Sequence, residues 1–348
     1  MDDKKDIKSY TREELVEEVK LLGGKAYVAA QVFDWLHKKR VYDFESMTNL
    51  SKALREKLED GYYIADNRIV KCLVSEIDGT RKYLFALRDG NIIESVLMRY
   101  SYGNSVCVSS QVGCRMGCRF CASTLDGLTR NLTASEILDQ IYSIESDIGE
   151  RVSHVVIMGS GEPLDNYDNV VRFYELLTND DGINISARNL TISTCGIVPR
   201  MYELAKLKAG FTLAVSLHAP NDEIRKSMMP IANAYKIEDV IEACRNYVKE
   251  TGRRVSFEYS LVRGVNDSEA NARELISRIK GINCHVNLIP VNPIKERDYQ
   301  QSVAKSIEKF KNILEKNGIN VTIRREMGRD INGACGQLRK DYVHSGDA

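Results

Sequence analysis

Apolar residues recur at helical spacing near the start of the chain. From Thr11 to Leu22 paired acids give way to apolar positions, and the run stops at Gly23-Gly24. Val28, Val32, Phe33, Trp35 and Leu36 place a second helix over 26–39, and Leu50 to Leu58 supply a third. Residues 1–65 therefore read as a small helical domain. Between 66 and 100 the period changes to two. Asp78-Gly79 and Asp89-Gly90 are hairpin-turn pairs flanked by alternating apolar residues, so a three-stranded meander is expected, with Glu94 on its last strand.

Beyond residue 100, short apolar runs alternate with amphipathic ones. The pattern predicts strands at 106–110, 154–158, 189–194, 212–218, 255–262, 285–291 and 321–324. Helices are predicted near 133–147, 167–178, 199–208, 236–250, 268–280 and 301–317, the first opening on the capping box Thr133-x-x-Glu136. Such a succession means a parallel sheet with right-handed crossovers. The fold class is α/β, a partial (β/α)6-type TIM-like barrel over 101–325, with 66–100 as a connector. The remaining tail, 326–348, is polar and without clear periodicity. In these folds chemistry gathers in the loops that follow the strands. Every polar oddity of the chain lies there: a cysteine cluster after the first strand, Gly159-Ser160-Gly161-Glu162 after the second, Ser193 ending the third, His218 ending the fourth and Asn292 after the sixth.

Composition narrows the class. Of 348 residues, 43% are apolar, and 49 basic residues balance 49 acidic ones. A net charge of zero argues against coating nucleic acid by charge alone. No run is long and apolar enough for a membrane span, and Met-Asp-Asp-Lys-Lys-Asp does not open a signal peptide. A cytoplasmic protein without a membrane partner is expected. Nine cysteines, an odd number in a chain too long to need staples, read as buried, ligating or reactive thiols.

Cys114-x-x-x-Cys118-x-x-Cys121 is the sharpest motif. Three thiolates so spaced can each take one iron of a [4Fe–4S] cube, leaving the fourth iron open. A zinc site and unligated thiols are the alternatives, although structural zinc wants four ligands and no second Cys or His pair follows at a suitable distance. Cys335, between Gly333-Ala334 and Gly336, stands out far from the cluster. Residues 324–340 carry five basic and two acidic residues, a segment that either faces phosphate or is a solvated tail.

The cluster motif with Phe120 before its last cysteine is similar to the radical S-adenosylmethionine superfamily. Val108-Ser-Ser-Gln-Val-Gly-Cys114, Gly161-Glu162-Pro163, Ser216-Leu217-His218, Asn292-Pro293 and Asp330-Ile-Asn-Gly-Ala-Cys335-Gly-Gln-Leu338 resemble the RlmN family. So do Gln31-Val-Phe-Asp-Trp35 and Met47-Thr-Asn-Leu-Ser51 in the N-terminal helices, so the resemblance spans nearly the whole chain. It implies methylation of adenine C2 in 23S ribosomal RNA, at the peptidyl-transferase centre, and in transfer RNA 3′ of the anticodon. It further implies a [4Fe–4S] cluster on Cys114, Cys118 and Cys121, and two S-adenosylmethionine molecules per turnover. Gly161, Glu162, Ser193, Ser216, Leu217, His218 and Asn292 are implied contacts of that cofactor. By the same resemblance Cys335 carries the methyl group, Cys107 resolves the enzyme–RNA link by forming a transient disulfide with Cys335, and Glu94 is the general base.

A flavodoxin- or ferredoxin-type electron donor and a monomer are expected, with the N-terminal helices and the meander gripping RNA by shape. Ser160 departs from the methionine common in the family, and Cys195 from its usual small residue; Cys72, Cys195, Cys244 and Cys284 are assigned to packing. Rival functions are the related C8-specific adenine methylase, another radical enzyme such as a protein-radical activase, and a zinc-stapled RNA-binding module without catalysis.

Overall fold

The computed structural model describes residues 4–293, 297–331 and 333. Its first elements are a short strand β1 (Lys5–Asp6) and three helices, α1 (Arg12–Leu21), α2 (Tyr27–His37) and α3 (Lys52–Gly61). Thr11 opens α1 through a reciprocal capping box with Glu14. Strand β2 (Tyr62–Tyr63) closes the unit by pairing in parallel with β1, a pairing too short to leave a period in the sequence. The meander follows as β3 (Arg68–Val74), β4 (Arg81–Ala86) and β5 (Ile92–Tyr100), and Gly79 and Gly90 take positive φ in the two turns.

The α/β part begins with β6 (Gly103–Val108) and a small hairpin, β7 (Gln111–Gly113) with β8 (Leu128–Asn131). Then come α4 (Ala134–Ile148), β9 (Val152–Ile157), α5 (Tyr167–Thr178), β10 (Leu190–Thr194), α6 (Val198–Lys206) and β11 (Thr212–Ser216). The chain continues through α7 (Asp222–Met228), α8 (Ile237–Thr251), β12 (Val255–Leu261), α9 (Glu269–Ile279), β13 (Cys284–Pro290), α10 (Ala304–Lys316) and β14 (Asn320–Ile323). The hairpin and α7 were not anticipated. All three segments are short, three to seven residues, too few to repeat their period often enough to stand out.

All these strands except β1, β2, β7 and β8 form one sheet, in the order β14-β13-β12-β11-β10-β9-β6-β5-β4-β3. Its parallel portion runs in sequence order from β6 to β14, as successive right-handed crossovers require. The barrel stays open because β6 pairs on its other side with β5, antiparallel and with Val96 opposite Cys107, rather than with β14. The meander therefore extends the barrel wall. One large apolar core runs from Leu15 and Phe33 in the helices through Ile141 and Tyr142 of α4 to Phe310 and Leu314 of α10.

The N-terminal helices are bolted to α4 by a polar joint. Lys8 and Asp139 form a fully buried ion pair, Lys8 also donates to the Ala65 carbonyl at 3.2 Å, and Asp139 accepts the Asn67 N–H at 2.7 Å.

Candidate active site

The hairpin presents the cysteine loop. Cys114 N–H donates to the Gly127 carbonyl at 2.8 Å, and Gly113, at φ 78°, lies so close that a Cβ would stand 2.0 Å from the Gly127 oxygen. Only glycine fits there. The far side of the loop is tied down by Arg119 N–H to the Met228 carbonyl at 2.9 Å and by Thr124 Oγ1 to the Cys121 carbonyl at 2.9 Å. Cys118, Cys195, Met228, Met229, Val262 and Val291 form a separate apolar cluster, with Met116, Phe120 and Cys121 against it. It walls the thiols from water.

Cys114, Cys118 and Cys121 line one side of a cavity of about 210 Å³ in the barrel mouth. Burial pushes the Cys114 thiol up to about 12, and Cys118 is raised well above its ordinary value for the same reason, with the other cysteines adding to it. Such thiols become thiolates when metal supplies the positive charge. Three soft donors at one wall of a water-poor chamber suit a cube in which each takes a different iron. Among the described residues no three His, Cys, Asp or Glu side chains converge on one point as a single ion would need.

The opposite walls carry Gly161, Glu162, Ser193, Ser216 and His218. Glu162 is 4% exposed, and burial raises its pKa. One carboxylate oxygen accepts the Cys195 N–H at 2.7 Å and the other the Leu164 N–H at 3.0 Å, which fixes where it points. Gly161 takes φ 112°, and a Cβ there would stand 2.7 Å from Gln111 Cβ and from Ser110 Oγ. Close packing of this turn on the β6–β7 segment demands the glycine. His218 sits at φ 55°, and its Nδ1 accepts the Ser260 N–H at 2.9 Å, so the neutral ring presents Nε2–H. Burial, then the charge of Arg225, drives its pKa down to about 3. Phe120 packs edge-on against it at 4.6 Å. Leu217 stands apart: its side chain is buried in the main core, and its N–H donates to the Glu258 carbonyl at 3.1 Å.

A second cavity of about 250 Å³ adjoins the first, sharing Met158, Ile289 and Arg324 as walls. Val96, Met98, Asn292, Met327 and Gly333 complete much of its lining. Cys107 is buried in the apolar cluster of Val96 and Met98, with Val156, Met158 and Met327 packed on it. Glu94 lies two residues from Val96 on β5, buried, 3.7 Å from Lys82 Nζ. The segment that leads away is clamped by the β3–β4 turn. Asp330 accepts from Ser75 Oγ at 2.6 Å and from Glu76 N–H at 2.9 Å, and Gly328 N–H donates to Asp78 at 3.0 Å. Cys335 lies outside the described residues.

Two residues that support the chamber, Asn266 and Arg225, left no mark in the sequence. Asn266 donates to the carbonyls of His218 and Ser260, both at 2.7 Å, and so holds His218 in its unusual conformation. Arg225, fully buried beneath the cysteine loop, donates to the Cys195 carbonyl at 2.6 Å. Cys195, assigned to packing, also lines the first cavity and orients Glu162 through its N–H. Ser160 does not line it; its hydroxyl lies 3.1 Å from Ser123 Oγ, linking the β9 loop to the cysteine loop.

Residues 108–276 match the profile of the Radical SAM superfamily, and residues 5–64 that of the Ribosomal RNA large subunit methyltransferase N-terminal domain. Proteins named probable dual-specificity RNA methyltransferase RlmN are 61% identical in Lachnospira eligens, over 98% of this chain and 98% of that one. The Lachnoclostridium phytofermentans protein of the same name is 62% identical over 98% and 96%. A solved radical SAM methyltransferase from Sphaerobacter thermophilus superposes with a TM-score of 0.90 at 43% identity, covering 96% of this chain and 98% of that one. The thiol-lined chamber thus sits in a chain whose whole length has its counterpart, and the chain belongs to the RlmN family of radical SAM RNA methyltransferases, enzymes that use a [4Fe–4S] cluster and S-adenosylmethionine.

Proposed function

We propose that this enzyme methylates C2 of an adenine in 23S ribosomal RNA and in transfer RNA, with Cys335 as methyl carrier and Cys107 as resolving thiol. The observation that carries this reading is the pair of adjoining chambers. One is lined by Cys114, Cys118 and Cys121, the other lies over Cys107 and is lined by Gly333, two residues before Cys335 in the chain.

The cluster and S-adenosylmethionine, when bound, supply a carbon radical by reductive cleavage of the sulfonium. Cys114, Cys118 and Cys121 would hold the cluster. Glu162, Ser193, Ser216, His218 and Asn292 would orient the cofactor, and Gly161 sets the turn that places Glu162. The neutral His218 offers an N–H without adding charge. Cys335 first takes a methyl group at sulfur, releasing the thiol proton. That thioether carbon, once a hydrogen atom has been abstracted from it, adds to the electron-poor C2. Glu94 would then take the C2 proton, and the adduct's unpaired electron would pass back to the oxidised cluster, so that the ring regains its aromaticity. Cys107, as the thiolate, attacks the Cys335 sulfur; the S–CH2 bond breaks as the disulfide forms, and the departing carbon takes up a proton, returned by Glu94, to give the methylated base. The target adenine must leave its stack to enter the mouth.

RNA gripping by the N-terminal helices and meander, an electron donor of the flavodoxin or ferredoxin type, a monomeric state and a cytoplasmic site of action belong to the same reading. Among the described residues no helix is long and apolar enough to cross a membrane.

The test is nucleoside analysis by mass spectrometry after incubating reconstituted enzyme with unmodified 23S fragments and transfer RNA. 2-Methyladenosine is expected; 8-methyladenosine would overturn the regiochemistry. Cys335→Ala should abolish transfer with iron content intact, and Cys107→Ala should leave a protein–RNA adduct on a denaturing gel. Normal turnover by either variant sinks the two-thiol scheme.

A further inference from the structure

Arg225 of α7 is the largest fully buried side chain among the described residues, and none of these steps uses it. It is packed under the loop after β10, where Gly196 at φ 98° leaves it room: a Cβ there would stand 3.3 Å from Nη2. Nη2 donates to the Cys195 carbonyl at 2.6 Å and Nη1 to the Tyr235 carbonyl at 3.4 Å, while Nε has no partner among the described residues. Both acceptors are neutral. No described carboxylate forms an ion pair with the guanidinium. Asp222, one turn earlier on α7, is the acid whose charge reaches it, and that carboxylate accepts the Ile237 N–H at 2.7 Å instead.

A charge taken out of water without a counter-charge is costly, and a fold that keeps one needs something of opposite sign to meet it. On the chamber side the charge of Arg225 reaches Cys118, Cys195 and His218. The Met228 carbonyl at the end of α7 holds the cysteine loop through the Arg119 N–H, so helix and loop are joined directly. A doubly positive oxidised cube on three thiolates carries one net negative charge, and two after taking an electron. We infer that Arg225 is the counter-charge of the cluster held by Cys114, Cys118 and Cys121, and that it favours the reduced cluster over the oxidised one. The doubled charge of the reduced form gains twice as much from a fixed positive charge. Arg225 is not a ligand and touches no reacting atom; it acts through the cluster, by attraction across the loop. The inference rests on the cluster site described above.

The experiment is a redox titration of the reconstituted enzyme without S-adenosylmethionine, following the reduced cluster by electron paramagnetic resonance, beside iron analysis. Arg225→Gln keeps an N–H donor for the Cys195 carbonyl and removes the charge. At a fixed potential its ratio of reduced to oxidised cluster should be about tenfold lower, the effect of one charge at roughly 10 Å through an effective dielectric of about 20. For a one-electron couple that is a midpoint roughly 59 mV more negative. Arg225→Lys keeps the charge but loses the paired donors, and its midpoint should stay near that of the unmodified enzyme. An unchanged midpoint in Arg225→Gln, or equal shifts in the two variants, would overturn the assignment, because a purely structural role depends on the donors and not on the charge. If Arg225→Gln does not fold, Arg225→Met, of similar length and with no donor to satisfy, makes the same comparison. If the uncharged variants lose iron, retention by Arg225→Lys carries the same conclusion, and loss by all three overturns it. An unmodified enzyme that takes up no cluster would instead overturn the cluster site itself.

Discussion

Replacing His37 by leucine should remove a defined share of the acid sensitivity of the N-terminal helices. The ring lies at the joint between α2 and α4, 4.3 Å from the Phe33 ring, with Nδ1 3.1 Å from the Tyr142 hydroxyl and Nε2 without a partner among the described residues. Burial, then the charges of Lys8 and Arg40, drives the imidazole from 6.5 down to about 3. The unfolded chain takes up the proton near pH 6.5 and the folded one only near pH 3. The contribution to stability is therefore complete above pH 6.5 and is lost as pH falls from there towards 3. At pH 5 the gap of about 1.5 pH units is worth about 2 kcal/mol.

Urea unfolding can be followed by the fluorescence of Trp35, the single tryptophan, two residues from His37. Between about pH 7.5 and about pH 5 both proteins lose stability through their carboxylates, and the unmodified chain should lose about 2 kcal/mol more. The Tyr142 hydroxyl loses its partner in the variant, at about 1 kcal/mol. That cost applies at both pH values and cancels. Equal losses would refute the claim that folding keeps His37 neutral.

Lys8→Met strands Asp139 in the joint and should cost about 3–5 kcal/mol in urea unfolding, most of it recovered when Asp139→Leu is added. Gly161→Ala forces a side chain into a left-handed turn and against Gln111. A loss of about 1–3 kcal/mol is expected by thermal unfolding, together with weaker binding of S-adenosylhomocysteine. Asp330→Ala frees the tail from Ser75 and Glu76. On the proposed carrier role of Cys335, intact-mass measurement should show slower methylation of that residue, about tenfold for the loss of a charge-assisted clamp, with iron content and cofactor affinity unchanged; unaltered methylation would show that the clamp has no part in that step.

Local pattern accounts for much of what was legible. Period-two stretches, Asp-Gly turns and the boxes at Thr11 and Thr133 act within a few residues of themselves, so the longer helices, the meander and the order of βα units could be read directly. The three cysteines are legible for the same reason, being neighbours on one loop. Local pattern does not say that the meander continues the barrel wall, because β5–β6 pairing is chosen by burial of two faces rather than by either strand alone.

The remainder of the site arises from register and burial. Glu258, Asn266 and Arg225 look like any surface residue in the sequence. They become cavity walls or supports only when β11, β12 and β13 align and α7 closes beneath the cysteine loop. Asp330 meets Ser75 and Glu76 across more than 250 residues of chain. The sequence alone thus determined most of the elements, the clustering of three cysteines on one loop and the family. Tertiary structure decided which carboxylates lose their water and where they point, because desolvation and hydrogen-bond partners are properties of the packed sheet and not of a residue's neighbours in the chain.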